Sequence, residues 1–101
     1  MQEDAAARPG TEPLPATALI VTIRGWPEPR EAMARIAPQL EPAGAELLVV
    51  DGSTQPPPSA AELEALGGPS GVMRWMSRQG ESVFQLRRAG YQAARGAVVA
   101  V

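Results

Sequence analysis

Three observations predict an α/β domain of three layers, with a four-stranded, mostly parallel sheet between helices. Short aliphatic runs alternate along the chain with stretches of helical spacing. These runs are apolar at successive positions, the pattern of strands covered on both faces. Capping boxes open two of the helical stretches. Strand and helix in strict alternation call for parallel pairing through right-handed crossovers.

Residues 1–17, "MQEDAAARPGTEPLPAT", are rich in Ala and Pro and lack an apolar run of signal-peptide length, so they are expected to be a disordered tail. The domain is expected over residues 18–101. "ALIVTI", Ala18 to Ile23, is the first predicted strand. "RGWPEP" turns the chain, and Pro29 suits a helix start. Met33, Ile36, Ala37 and Leu40 form one helical stripe, and Pro38 is expected to end or kink that helix near Ala37. "ELLVV" is the second strand.

"DGSTQPPP" is a loop, since Gly and three consecutive prolines continue neither element. Ser59 and Glu62 form a capping box for a short helix stopping at Gly67 and Gly68. "GVMRWMS", Gly71 to Ser77, is the third strand, reached through "GGPSG" as a flexible connection. Ser82 and Gln85 form the second capping box. The helix behind it carries the stripe Val83, Leu86, Gly90 and Ala93, with Gly96 as its expected cap. Gly90 costs a helix about 1 kcal/mol relative to Ala, which close packing against the sheet would offset. "AVVAV" is the fourth strand. Ending within an apolar strand, the chain is expected to be a fragment of a longer protein.

Composition narrows the chemistry. All nine basic residues are Arg, and the chain has neither Cys nor His. Lysine Schiff bases, a P-loop lysine, thiol nucleophiles, disulfides and imidazole acid-base catalysis are thereby excluded. Typical zinc sites are excluded with them. A net charge of -2 gives no reason to expect a nucleic-acid partner, and no segment is long and apolar enough to span a membrane. The lack of Cys fits a cytoplasmic location, with peripheral membrane attachment through missing sequence also compatible.

Ligands of open parallel sheets bind beyond the carboxyl ends of the strands. Asp51 lies there, as do Thr22 to Gly25. An Asx-turn onto Ser53 or Thr54 accounts for Asp51 as well as a ligand does. A phosphatase reading fails, because aligning "DGS" with an Asp-x-Asp-Gly-Thr signature puts Val49 at the nucleophile position. No Gly-x-Gly-x-x-Gly or Walker sequence follows a strand. Arg87 and Arg88 fit a solvated helix face beside Phe84 and Tyr91, and Arg87 also fits a phosphate contact. Trp26 and Trp75 read as packing residues. Arg24 stands just past a buried strand, at the mouth of the expected cleft.

Three segments together resemble the amino-terminal half of family 2 glycosyltransferases. They are "LIVTIRGWPEP", "AELLVVDGST" and "GESVFQLRRAGYQAARGAVVAV", in the family's order and spacing. The resemblance implies a Rossmann-like fragment, the amino-terminal half of a GT-A fold, cut before the metal-binding motif. Its implied ligand is a nucleoside diphosphate sugar, whose sugar would pass to an acceptor hydroxyl. Substrate-binding positions carried over are Thr22, Arg24, Asp51 and Arg87, with no catalytic or metal-binding residue in this stretch. A divalent Mg or Mn is implied for the full-length enzyme and not for this fragment, which would be inactive without its missing carboxyl-terminal half. The chain has one Asp before Gly52 where the family often has two; Arg24 stands where Tyr is common, and Arg88 where Asn follows the Arg. Two other readings stay open: a non-catalytic α/β module pairing with a partner through its edge strand, and an unrelated Rossmann-like nucleotide-binding domain.

Overall fold

The aliphatic runs become strands because helices shield both of their faces. A computed structural model describes residues 14–67 and 72–100. The elements are β1 (Leu14–Thr22), α1 (Arg30–Ala43), β2 (Ala45–Asp51), α2 (Ala60–Glu64), β3 (Met73–Ser77), α3 (Val83–Ala93) and β4 (Gly96–Ala100). Strands β3, β2 and β1 form a parallel sheet in that order, and β4 runs parallel along the other side of β1. The chain therefore steps outward from β1 to β3 and returns across β1, reversing its direction of winding there.

Alternation along the interior strands builds one core on each face. Leu47 and Val49 of β2 join Met33 and Leu40 of α1, with Leu63 and Leu66 from the α2 region partly buried against them. Leu48 and Val50 face the other way, toward Leu19, Leu86 and Ala89 beneath α3. Leu47 through Val50 are fully buried, which stabilises the sheet by about 1.5–3 kcal/mol per side chain. No helix among the described residues is long and apolar enough to cross a membrane.

Four expectations change. β1 begins at Leu14, so the last four residues of the expected tail are strand. Thr17 explains why: it is fully buried, donates its hydroxyl to Glu46 Oε2 at 2.7 Å and accepts the Gly96 amide at 2.8 Å. Residues 1–13, the connection Gly68 to Gly71, and Val101 lie outside the described residues.

Helix α1 runs through Pro38 to Ala43, where Gly44 ends it in the left-handed conformation. Pro38 is exposed, as is Ala34, whose carbonyl it leaves without a helical partner on the wet side; one residue on, Gln39 donates its side-chain amide to the Arg35 carbonyl at 2.9 Å. Buried Met33, Ala37 and Leu40 hold the helix on both sides of the proline.

In α3 the buried stripe is Leu86, Ala89 and Gly90, while Val83 is exposed. Gly96 does not cap this helix; Ala94 does, in extended conformation. Gly96 instead opens β4, where a Cβ would collide with the backbone of Ala16 and Thr17. The expected reason for Gly90 does hold, since a Cβ there would come within 2.5 Å of Leu19 Cδ1.

At the amino ends of the strands, opposite the end where Asp51 lies, Glu46 ties five segments together. Its fully buried carboxylate takes the Thr17 hydroxyl, Arg74 Nε at 2.9 Å, the Arg95 amide at 2.6 Å and Arg95 Nε at 3.2 Å. Arg74 also donates to the Ala93 carbonyl at 2.6 Å, closing the end of α3. Burial alone would raise the Glu46 pKa, but the Arg95 amide, the Thr17 hydroxyl and the Arg74 guanidinium outweigh it and bring it down to about 2.

Candidate functional site at the carboxyl ends of the strands

Residue Asp51 closes β2, an interior strand buried along its whole length. The turn after it is held from both sides. The Gly52 amide donates to the Thr22 carbonyl at 2.9 Å, and the Arg78 amide donates to the Asp51 carbonyl at 2.7 Å. Gly52 sits in tight quarters: a Cβ would stand 2.9 Å from Leu86 Cδ1 and 3.3 Å from the Glu81 carbonyl, so those neighbours would have to shift. The Asp51 turn thus passes directly under the first turn of α3.

The carboxylate of Asp51 is fully buried and divides its work. Oδ1 accepts the Ser53 amide at 2.8 Å, forming the Asx-turn. Oδ2 is buried and has no hydrogen-bond partner among the described residues. A buried carboxylate oxygen left unpaired is costly, so it calls for a donor from water or a ligand.

Thr22 stands beside Asp51 in register at the end of β1. Its hydroxyl donates to Glu28 Oε1 at 2.9 Å and accepts the Arg24 and Gly25 amides at 3.1 and 3.2 Å. One donor and two lone pairs are all a hydroxyl has. The Thr22 side chain is therefore fully engaged in shaping the β1–α1 loop, and its place at the site is that of a scaffold.

Arg24 lies exposed on that loop, and Arg87 lies exposed on α3. No hydrogen bond or ion pair joins either to Asp51 among the described residues. An open groove of about 260 Å³ runs beside α3, lined by Arg78, Glu81, Gln85, Arg88, Ala89 and Gln92. Arg88 faces this groove and Arg87 does not. With 3.6 residues per turn, Arg87 falls on the opposite flank of α3, with Val83 and Tyr91. Of the four expected site residues, Thr22 and Asp51 are brought together, while Arg24 and Arg87 stand apart on the loop and the helix.

Reading the sequence passed over Glu28, and saw Ser53 only as a turn residue and Glu62 only as a capping residue. Glu62 completes its capping box by accepting the Ser59 amide at 2.8 Å, and its other oxygen accepts Trp26 Nε1 at 3.2 Å. The Ser59 amide foremost, then the indole, hold its pKa below the usual carboxylate value against the opposing effect of burial. Only the capping part of that role was visible in the order of residues. Trp26 packs edge-on against Trp75, ring centroids 6.2 Å apart at 81°.

No group of three or more acidic, Cys or His side chains that could hold a metal ion occurs among the described residues. No family model, curated protein or solved structure matches this chain.

Proposed function

We propose that this chain is the donor-nucleotide-binding half of a glycosyltransferase that moves a sugar from a nucleoside diphosphate sugar to an acceptor hydroxyl. The observation that carries the reading is the unpartnered, buried Oδ2 of Asp51 at the carboxyl end of an interior parallel strand. Such an oxygen accepts one N–H or O–H from a base or ribose and fixes its orientation. The three resemblant segments supply the rest: a β1–α1 loop carrying Arg24, and α3 carrying Arg87 as a diphosphate contact. This Rossmann-like arrangement would be the first half of a GT-A fold. The single free oxygen of Asp51 does not make a divalent-metal site, so Mg or Mn is assigned to the acidic motif that the family carries after its fourth strand.

Calorimetry with a panel of nucleoside diphosphates tests the reading. Binding of at least one, weakened tenfold or more in Asp51→Asn, is the expected result. Asn keeps a carbonyl for the Ser53 amide but presents an NH₂ where the ligand needs an acceptor. Equal affinity in wild type and Asp51→Asn would reduce Asp51 to a turn residue.

The outer edge of β3 favours a second reading. That strand ends the sheet, and among the described residues nothing pairs with its outer side. A non-catalytic module would use this edge to add a partner's strand. Protection of the Met73, Trp75 and Ser77 amides by a partner, with no nucleotide binding, would select it.

A further inference from the structure

Helix α2 has five residues and buries none of them fully, so core packing is a weak reason for its place. Its Glu62 carboxylate joins two structures, the cap of α2 through Ser59 and the β1–α1 loop through the Trp26 indole. Trp26 is wedged between this carboxylate and the Trp75 ring on β3. The residue before it, Gly25, is buried at φ +77°. A Cβ on Gly25 would overlap Ser53 Oγ and stand 2.8 Å from Gln55 Cβ, so the β1–α1 and β2–α2 loops touch there without any gap. Ser53 is the residue whose amide holds Asp51 Oδ1.

These contacts form one unbroken line from α2 to the carboxylate. We infer that Glu62 and Trp26 are positioning residues for the site. Glu62 holds the indole, the indole seats Gly25 against Ser53, and the Ser53 amide fixes the Asp51 carboxylate with Oδ2 free. The inference rests on the donor-binding reading for its functional meaning, and on the contacts alone for its structural content.

The test uses amide hydrogen exchange on the full chain, read at Gly25 and Ser53. Trp26→Phe removes the indole N–H but keeps a ring against Trp75. It should speed exchange at both amides roughly two- to tenfold, the range of one hydrogen bond, and leave the α3 amides unchanged. Glu62→Ala should reproduce that pattern. Glu62→Gln keeps an acceptor and a competent capping box, and should behave as wild type. Unchanged exchange at Ser53 in both Trp26→Phe and Glu62→Ala overturns the inference, as does an equal rise throughout α3. Should Trp26→Phe fail to fold, the two Glu62 variants, at an exposed position, decide alone.

Nucleoside diphosphate affinity, measured in parallel, should fall in Trp26→Phe and Glu62→Ala and stay level in Glu62→Gln. Failure of the wild type to bind any nucleoside diphosphate would sink the donor-binding reading and leave the exchange pattern to judge the positioning.

Discussion

The Ser53 amide holds one oxygen of Asp51 at 2.8 Å and leaves the other buried without a partner. The turn and the ligand are therefore not competing explanations of this carboxylate, because each uses a different oxygen. Their energetic consequences can be separated. Asp51→Ala removes the turn acceptor and should cost about 1–2 kcal/mol of stability in urea unfolding. Asp51→Asn preserves the turn and should stay within about 1 kcal/mol of wild type. A loss in Asp51→Asn as large as in Asp51→Ala would mean that the second oxygen also has a structural partner.

At the other end of the sheet, Glu46 makes stability depend on acid. Its pKa is about 2 in the fold, below its ordinary value of 4.5. A depressed carboxylate pKa contributes stability that is fully present above the unfolded value and is lost as pH falls through the folded one. The contribution is on the order of 3 kcal/mol near neutral pH, declining below about pH 5 toward pH 2. Urea titrations across that range should show the decline in wild type and a flatter profile in Glu46→Gln. Glu46→Ala should cost about 3–5 kcal/mol, because it strands the Thr17, Arg74 and Arg95 donors.

Gly90 should resist the substitution that usually strengthens a helix. In an open helix, Gly→Ala gains about 1 kcal/mol. Here the new methyl would meet Leu19, one of the buried side chains beneath α3, and overpacking costs about 1–3 kcal/mol. Gly90→Ala is therefore expected to destabilise. Combined with Leu19→Ala, it should cost less than the sum of the two single changes, since the methyl would then occupy the space vacated.

Local rules carried the reading of the fold where the deciding interaction was itself local. Both capping boxes lie within four residues, and both form. Apolar periodicity located α1, α3 and the interior strand β2. What was not legible depended on partners distant in sequence. Thr17 becomes strand through Glu46, 29 residues away, and nothing in "LPAT" announces this. Asp51 was found as a residue, but the division between its two oxygens needed the position of the Ser53 amide. Thr22 ends β1 beside Asp51, while the contacts that fill its hydroxyl come from the loop after it. Helical spacing allows Ala89 and Val83 equally on the edge of the α3 stripe; only the position of the sheet chooses Ala89.

Pro38 is the local rule that the fold overrides, and it yields the last prediction. Proline in a helix interior is about 3 kcal/mol less favourable than alanine, yet α1 continues past it. Exposure of Pro38 and of Ala34, whose carbonyl it strands, lets water reduce that cost without removing it. Pro38→Ala restores the missing amide and should stabilise by about 1–2 kcal/mol, partly offset by the greater freedom of the unfolded chain. In a domain of this size that is a rise in Tm of roughly 4–8 °C per kcal/mol. A destabilised Pro38→Ala would instead show that the proline itself helps Met33 and Leu40 reach the sheet together.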